Sequence, residues 1–337
     1  MTTKFTAPFF VLAFFCTTLS VLAQDLFPIE EKGKYGFINK SGSVVIKPQF
    51  DYAESFSEGM AAVSNAGKRG FIDATGKVII PLQFDKTTSF SEGTASGKMN
   101  GAWMYFDKTG KVVLEPECDY AYKFSDGVAR LQIGAKMGFI DKTGAFVVKA
   151  DYDGAYDFSE SMARVKKGTK WGDIDKTGKM VVDCQYDDGF DFMEGVANVR
   201  KGDDVTGKWG FIDKTGKVVL DFKYDRAWPF SEGMALIRNG DFKKGRYGYI
   251  NKLGDEVIMP IYTGGEYFKE GLACVTSTLD TKNATFQFID KKGAIVINKE
   301  FLFLTTFKNG LAKASAKEMK AGYSYGYIDK TGKFMWP

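Results

Sequence analysis

Apolar and polar positions between residues 33 and 337 fall in short runs, and none recurs at helical spacing. The clearest run is Trp209 to Asp213, aromatic and apolar around one Gly. A second, Val218-Val219-Leu220, is β-branched and apolar. Between them lies Asp213-Lys214-Thr215-Gly216, which suits a type I turn closed by a left-handed Gly, as in a bulged hairpin. Asp213 is placed to accept backbone N–H groups inside that turn. Phe211 and Ile212 face opposite ways from one strand, yet both are apolar. Such a sheet is covered on both faces, and a lone hairpin cannot supply that cover.

The pattern recurs nine times. Its turn glycines are Gly42, Gly76, Gly110, Gly144, Gly178, Gly216, Gly254, Gly293 and Gly332. A fixed period of this kind identifies a repeat architecture. Six residues before each turn stands another Gly, except for Met104 and Gln287. After each turn come an aromatic (Cys118 in one copy) and often an Asp, as at Asp51, Asp85, Asp119, Asp153, Asp187 and Asp225. A Phe then opens a Phe-Ser-Glu-Gly-like turn, as at Phe56 to Gly59, and a short alternating strand follows. Each unit therefore holds about three short strands.

The Trp-Gly pairs at Trp171-Gly172 and Trp209-Gly210, the Phe-Ile-Asp-x-x-Gly hairpin and the Phe-Ser-Glu-Gly-x-Ala strand resemble the bacterial WG-repeat (KWG-type) family. The resemblance covers roughly residues 33–337. Tyr35, Arg69, Met137, Tyr247, Phe286 and Tyr325 replace the Trp in other copies. It implies a β-rich repeat fold, often in secreted or envelope proteins, with no defined activity and no agreed catalytic residues.

The expected fold is all-β: eight to nine three-stranded hairpin units in an open, solenoid-like stack, with a β-propeller as the alternative. Two features favour the stack. The units are shorter than the 40 or so residues of a typical four-stranded blade. The chain also begins and ends with the same hairpin, Tyr35 to Ile46 and Tyr325 to Trp336, so its ends are redundant rather than complementary. Extra length in later copies falls at one place: Arg200 to Lys208, Arg238 to Arg246, Thr276 to Thr285 and Ser315 to Ser324, against Ser64 to Lys68. Insertions at one repeat position project from one face, often a binding face; drift in exposed loops would look the same.

Residues 1–23 read as a signal peptide, with Lys4 as the only charge, an apolar stretch from Pro8 and a cut after Ala23. Residues 24–32 form a short lead before the repeat domain at 33–337. The expected location is secreted or periplasmic, within a bacterial cell envelope. Removal of residues 1–23 leaves 45 basic and 42 acidic residues without a basic stripe, which argues against nucleic acid. No later stretch is apolar enough to span a bilayer. Cys118, Cys184 and Cys274 are too scattered for a disulfide framework, and Cys118 reads as a buried filler.

The chain has no His, which removes the usual triad and most zinc sites, and no phosphate or dinucleotide fingerprint. No cofactor is expected. Carboxylates recur in two ladders, one at the hairpin Asp (Asp73, Asp213 and their equivalents) and one at the Phe-Ser-Glu-Gly Glu (Glu58, Glu160 and theirs). Features of every unit suit turn capping better than one catalytic pair or a calcium site. Trp103, Trp171, Trp209 and Trp228 are either core or a stacking platform for sugars or peptides. Arg200, Lys201, Arg238, Lys243, Lys244 and Arg246 decorate the longer loops, as a solvated rim or as contacts for an acidic partner. The expectation is a non-enzymatic, exported scaffold that binds protein or peptide; the rival is an envelope protein that binds carbohydrate through its aromatics.

Overall fold

The computed structural model describes residues 25–241, 243–278, 285–317, 319 and 325–337. Residues 1–23, read from the sequence as a signal peptide, lie outside the described residues, as do parts of the last two long loops. The described chain forms nine antiparallel sheets in sequence order. The first has three strands, β1 (Phe27–Glu31), β2 (Lys34–Ile38) and β3 (Val44–Phe50). The second has four, β4 (Tyr52–Ala53), β5 (Ala61–Asn65), β6 (Lys68–Ile72) and β7 (Val78–Phe84), and sheets three to nine repeat its order.

The sheets are the blades of a closed ring, not layers of an open stack. Nine blades in an open stack would have eight interfaces, but nine hydrophobic clusters are present, each joining two blades. Phe37, Ile46 and Phe50 of blade 1, for example, pack on Phe56, Val63 and Ile72 of blade 2. The ninth cluster joins Leu311, Tyr327 and Trp336 of blade 9 to Phe27, Ile29 and Ile38 of blade 1. The Tyr327 hydroxyl donates to the Pro28 carbonyl at 2.8 Å across the same boundary. Each hairpin glycine also seats on the last strand of the preceding blade. A Cβ at Gly76 would touch Ile46, one at Gly216 would touch Val182, and one at Gly42 would strike the Met335 carbonyl. The contact therefore runs unbroken around the ring.

Both arguments for the open stack fail for physical reasons. The additional strand, the first of a blade, needs only two residues, because one residue separates β3 from β4 and the chain crosses directly into the next blade. Closure needs no complementary ends either, because blades 9 and 1 meet face to face without exchanging a strand. The recurrent aromatics drive that face packing. Phe37 meets Phe56 with ring centres 4.9 Å apart, and Phe71 meets Phe90 at the same distance.

The Gly before each hairpin answers a bulge. Between Arg69↔Phe84 and Phe71↔Ile80 the register shifts, and the bulged β7 backbone presses on Gly70 where a Cβ would stand. Blade 3 carries Met104 there, and its fourth strand stops at Leu114 without making that second crossing. Gln287 in blade 8 tolerates the bulge, and nothing in the structure explains why.

Carboxylates tie the blades at both ends. On the upper face, which carries the loops between second and third strands, Asp51 takes Lys34 Nζ of blade 1 at 2.6 Å and the Ala66 N–H of blade 2 at 2.7 Å. Asp153, Asp187 and Asp225 repeat the arrangement. On the lower face Glu58, held at a φ of 50°, reaches the Gly93 N–H and Lys108 of the next blade. Burial raises the Glu58 carboxyl, but these donors more than offset it, and it titrates below the usual range. At the 9–1 boundary Asn309 takes the place of the Glu, and Lys40 pairs within its own blade with Asp25 at 2.9 Å. Hairpin aspartates cap their own turns, as Asp73 does with Thr75 and Lys77 N–H. Both ladders are structural caps and clasps.

Closure is open to test. Replacing Tyr327 by Phe removes one buried hydrogen bond and is expected to cost about 1 kcal/mol, seen as a lower urea midpoint with an unchanged m-value. An unchanged midpoint would contradict a sealed 9–1 boundary.

Candidate binding site around Trp228

Blades 6 (Asp188 to Tyr224) and 7 (Arg226 to Tyr262) carry the first two long loops on the upper face. Cross-strand pairing sets three side chains in a row on each. Blade 6 aligns Asp188, Arg200 and Trp209, and blade 7 aligns Arg226, Arg238 and Tyr247. Directly opposed residues share one face of a sheet. Both rows except Asp188, together with Trp228, Asp204 and Asp225, line a cavity of about 360 Å³.

Three guanidiniums line it. Arg226 lies 4.4 Å from the Trp209 ring centre, flanked by Phe190 and Trp228, and 3.9 Å from Asp188. Burial lowers the pKa of Arg226, Asp188 opposes the shift, and the charges of Arg200 and Arg238 add to it. Arg200 is only 7% exposed. Its Nη2 meets Asp204 at 2.5 Å, while Nε and Nη1 are buried without a hydrogen-bond partner. Asp225 is occupied by Lys208 and the Gly240 N–H.

Trp228 also walls a second cavity of about 320 Å³, lined with Phe190, Met193, Pro229 and Tyr267 and edged by Lys269. A third, also of about 320 Å³, lies between the two loops beside Val205, Gly240 and Lys243, and shares Asp204, Asp225 and Arg238 with the first. The loops are built alike. Asp203 Oδ1 accepts the Val205 and Thr206 N–H groups, and Asp241 Oδ1 accepts those of Lys243 and Lys244.

The candidate residues separate sharply. Trp103 and Trp209 are core, 2% and 1% exposed, and Trp103 Nε1 donates to the Asp119 carbonyl. Trp171 is half-buried, 5.3 Å from Tyr156, and Lys166 lies over its ring. Trp228, Arg200 and Arg238 meet in the first cavity, and Lys243 lines the third. Lys244 is exposed on the loop, and Arg246 donates to its carbonyl. Lys201 points elsewhere, over Phe222 and Tyr186. Sequence reasoning missed Arg226, Tyr247 and Phe190. A signal for Phe190 was present: the residue two before the recurrent Phe is Tyr122, Tyr156, Phe190 and Trp228 in four consecutive blades.

A buried polar inclusion lies in blades 5 and 6. Asp173 stands where other repeats have Phe or Tyr, and Arg164 opposite it pairs with both carboxylate oxygens at 3.1 Å. Neither side chain is exposed. Arg164 Nη1 also donates to the Asn198 carbonyl. Asp191 nearby has a buried oxygen without a partner, and burial pushes its pKa up to about 6 against the pull of Arg164. Cys118 packs partly buried beside Tyr120, as a filler does, and burial pushes its thiol up to about 11. Among the described residues no cluster of three or more acidic or Cys side chains could hold a metal ion, and no helix is long and apolar enough to cross a membrane.

Nine blades, each packed on two neighbours, define a β-propeller. Eight segments, residues 35–68, 70–101, 103–136, 137–171, 171–203, 209–241, 247–276 and 288–315, match the WG containing repeat, and the chain belongs to that family. No curated protein matches the chain. Among solved structures it is similar to a crystal structure of the eukaryotic initiation factor, with a TM-score of 0.64 at 12% identity, over 93% of this chain and 95% of that one. Oligopeptidase B from Leishmania major aligns at a TM-score of 0.44 and 10% identity, over 77% of this chain and 52% of that one. Hsv2p from Kluyveromyces lactis aligns at 0.41 and 8%, over 70% and 91%. At such identities the first likeness concerns the fold alone.

Asp191 yields a pH prediction. Its folded pKa of about 6 lies above the unfolded value, so the native state holds the proton more tightly. That contribution is present below about pH 4 and lost as the pH rises through 6. Asp191→Asn should therefore stabilise the protein at pH 7.5 by up to about 3 kcal/mol and by much less at pH 3.5. A gain that is equal at both values would show that Asp191 is not the titrating group.

Proposed function

We propose that this propeller is a non-catalytic interaction scaffold that holds a protein or peptide partner around Trp228, and that it works outside the cytoplasm after loss of residues 1–23. The observation that carries the reading is the pairing of a cationic cavity, bordered by Asp204 of the first long loop, with an apolar one across a single indole. Side-chain-sized pockets of opposite character suit a polypeptide, which presents alternating chemistry at short spacing. The absence of His and the use of both carboxylate ladders in caps and clasps support a binding role over a catalytic one.

Carbohydrate binding is the second reading, favoured by the row Tyr122, Tyr156, Phe190 and Trp228, which could stack successive sugar rings. Panning a random peptide display library on residues 24–337 separates the two. Enriched peptides should bind the unaltered protein and Trp171→Ala equally, and bind Trp228→Ala at least ~10-fold more weakly, a loss of about 1.4 kcal/mol. No Trp228-dependent peptide, with glycan binding lost in Tyr156→Ala, would reverse the assignment. Export is tested by expressing the full chain in a bacterial host and sequencing the mature N-terminus. Gln24 is expected, and retention of residues 1–23 would refute it.

A further inference from the structure

We infer, building on the peptide-binding reading, that the cavity between blades 6 and 7 takes a carboxylate carried next to a large apolar side chain, and that Asp204 occupies the carboxylate's place until such a peptide arrives. The charge inventory of the cavity leads to this. Arg200, Arg226 and Arg238 converge there, whereas the carboxylates around them differ in how firmly they are held. Asp225 is fixed by Lys208 and Gly240 N–H. Asp188 accepts the Gly189 N–H and stands 3.9 Å from Arg226. Asp204 is different: its side chain is 90% exposed, and it reaches in from a loop to meet one nitrogen of a buried arginine.

That single contact shows that a carboxylate at the mouth of the cavity reaches Arg200 from solvent. It also leaves the site unfilled. A carboxylate engages a guanidinium best through two parallel N–H groups. Asp204 uses Nη2 alone, and Arg200 Nε and Nη1 remain buried and unpartnered. An unpaired buried donor is costly, so a ligand that supplies the second oxygen gains at Arg200 what the loop does not provide. Arg226 is held over the Trp209 ring, 4.4 Å from its centre, which positions a second guanidinium.

The neighbouring residue of the ligand has its own place. On the other side of Trp228, Phe190, Met193 and Tyr267 line the second cavity, with Met193 and Tyr267 each 43% exposed and open to an incoming side chain. Apart from Ser231, which donates to the Phe268 carbonyl, and Lys269 at the edge, these walls are apolar or aromatic and offer little to sugar hydroxyls, whereas an aromatic or aliphatic side chain needs no partner. The partner is therefore an acidic–apolar peptide segment rather than a glycan.

The test uses mature protein and three fluorescein-labelled octapeptides that differ only at their centre: Phe-Asp, Phe-Asn and Ala-Asp. By fluorescence anisotropy, Phe-Asp should bind at least ~10-fold more tightly than either of the others. Asp204→Asn, on an exposed loop, should tighten Phe-Asp binding by about 3- to 10-fold by removing the internal competitor, and leave Phe-Asn unchanged. Equal binding of Phe-Asp and Phe-Asn, or no gain in Asp204→Asn, would overturn the inference. If display-selected peptides bind at Trp228 but show no preference for acid, this inference fails and the scaffold reading stands; if no peptide binds there, the scaffold reading fails with it. Binding of a galacturonic acid oligomer in place of every peptide, strengthened in Asp204→Asn, would reassign the carboxylate to a glycan.

Discussion

Every blade of this protein is apolar on both faces, so no blade can end the series. Phe37 and Ile38 are adjacent residues of one strand and both are fully buried, the first against blade 2 and the second against blade 9. An open stack would leave two such faces in water, and capping repeats with a polar outer side would be needed to cover them. The ring removes the problem by making the first and last blades cover each other. The remaining features follow from keeping that packing in register: glycines where a hairpin meets its neighbour's backbone, and carboxylates that hold turns of adjacent blades at both faces.

Much of this was legible in the sequence, and the limits were physical. The hairpins were, because Gly at a left-handed position and Asp at its cap are local requirements; all nine turn glycines have positive φ. The two-residue first strand was not, because Tyr52-Ala53 is too short to show any period. Its omission made the unit look three-stranded and the ring look like a stack. At the candidate site, loop length pointed to Arg200 and Arg238. It could not separate Trp209 from Trp228, since one indole is buried beneath Arg226 and the other lies between two cavities. Arg226 could not be singled out either, because the residue after the recurrent Asp also varies as Tyr52, Lys86 and Tyr120.

The regular parts of the ring and its exceptional parts divide the work. Residues that repeat in every blade are engaged in turns, clasps and interblade core. Chemistry that occurs once is concentrated where the repeat is broken. Beside the longer loops of blades 6 and 7, three strand-borne arginines and two acids meet three aromatic rings. The substitution of Asp173 for an aromatic, matched by Arg164 across the strands, puts an ion pair into an otherwise apolar wall. Searching a repeat protein for its departures from consensus is thus a search for its sites.

The sequence repeat and the blade are out of step, and this has a consequence for how such a chain changes over generations. Each matched segment, such as residues 35–68, starts with the last two strands of one blade and ends with the first two of the next. A tandem duplication of that segment would not append a spare blade to the end of the chain. It would insert a blade within the circle, already linked to both neighbours and already carrying a turn Gly and a clasp Glu. Gene duplication can therefore enlarge the ring one member at a time, and only the curvature between blades has to adjust.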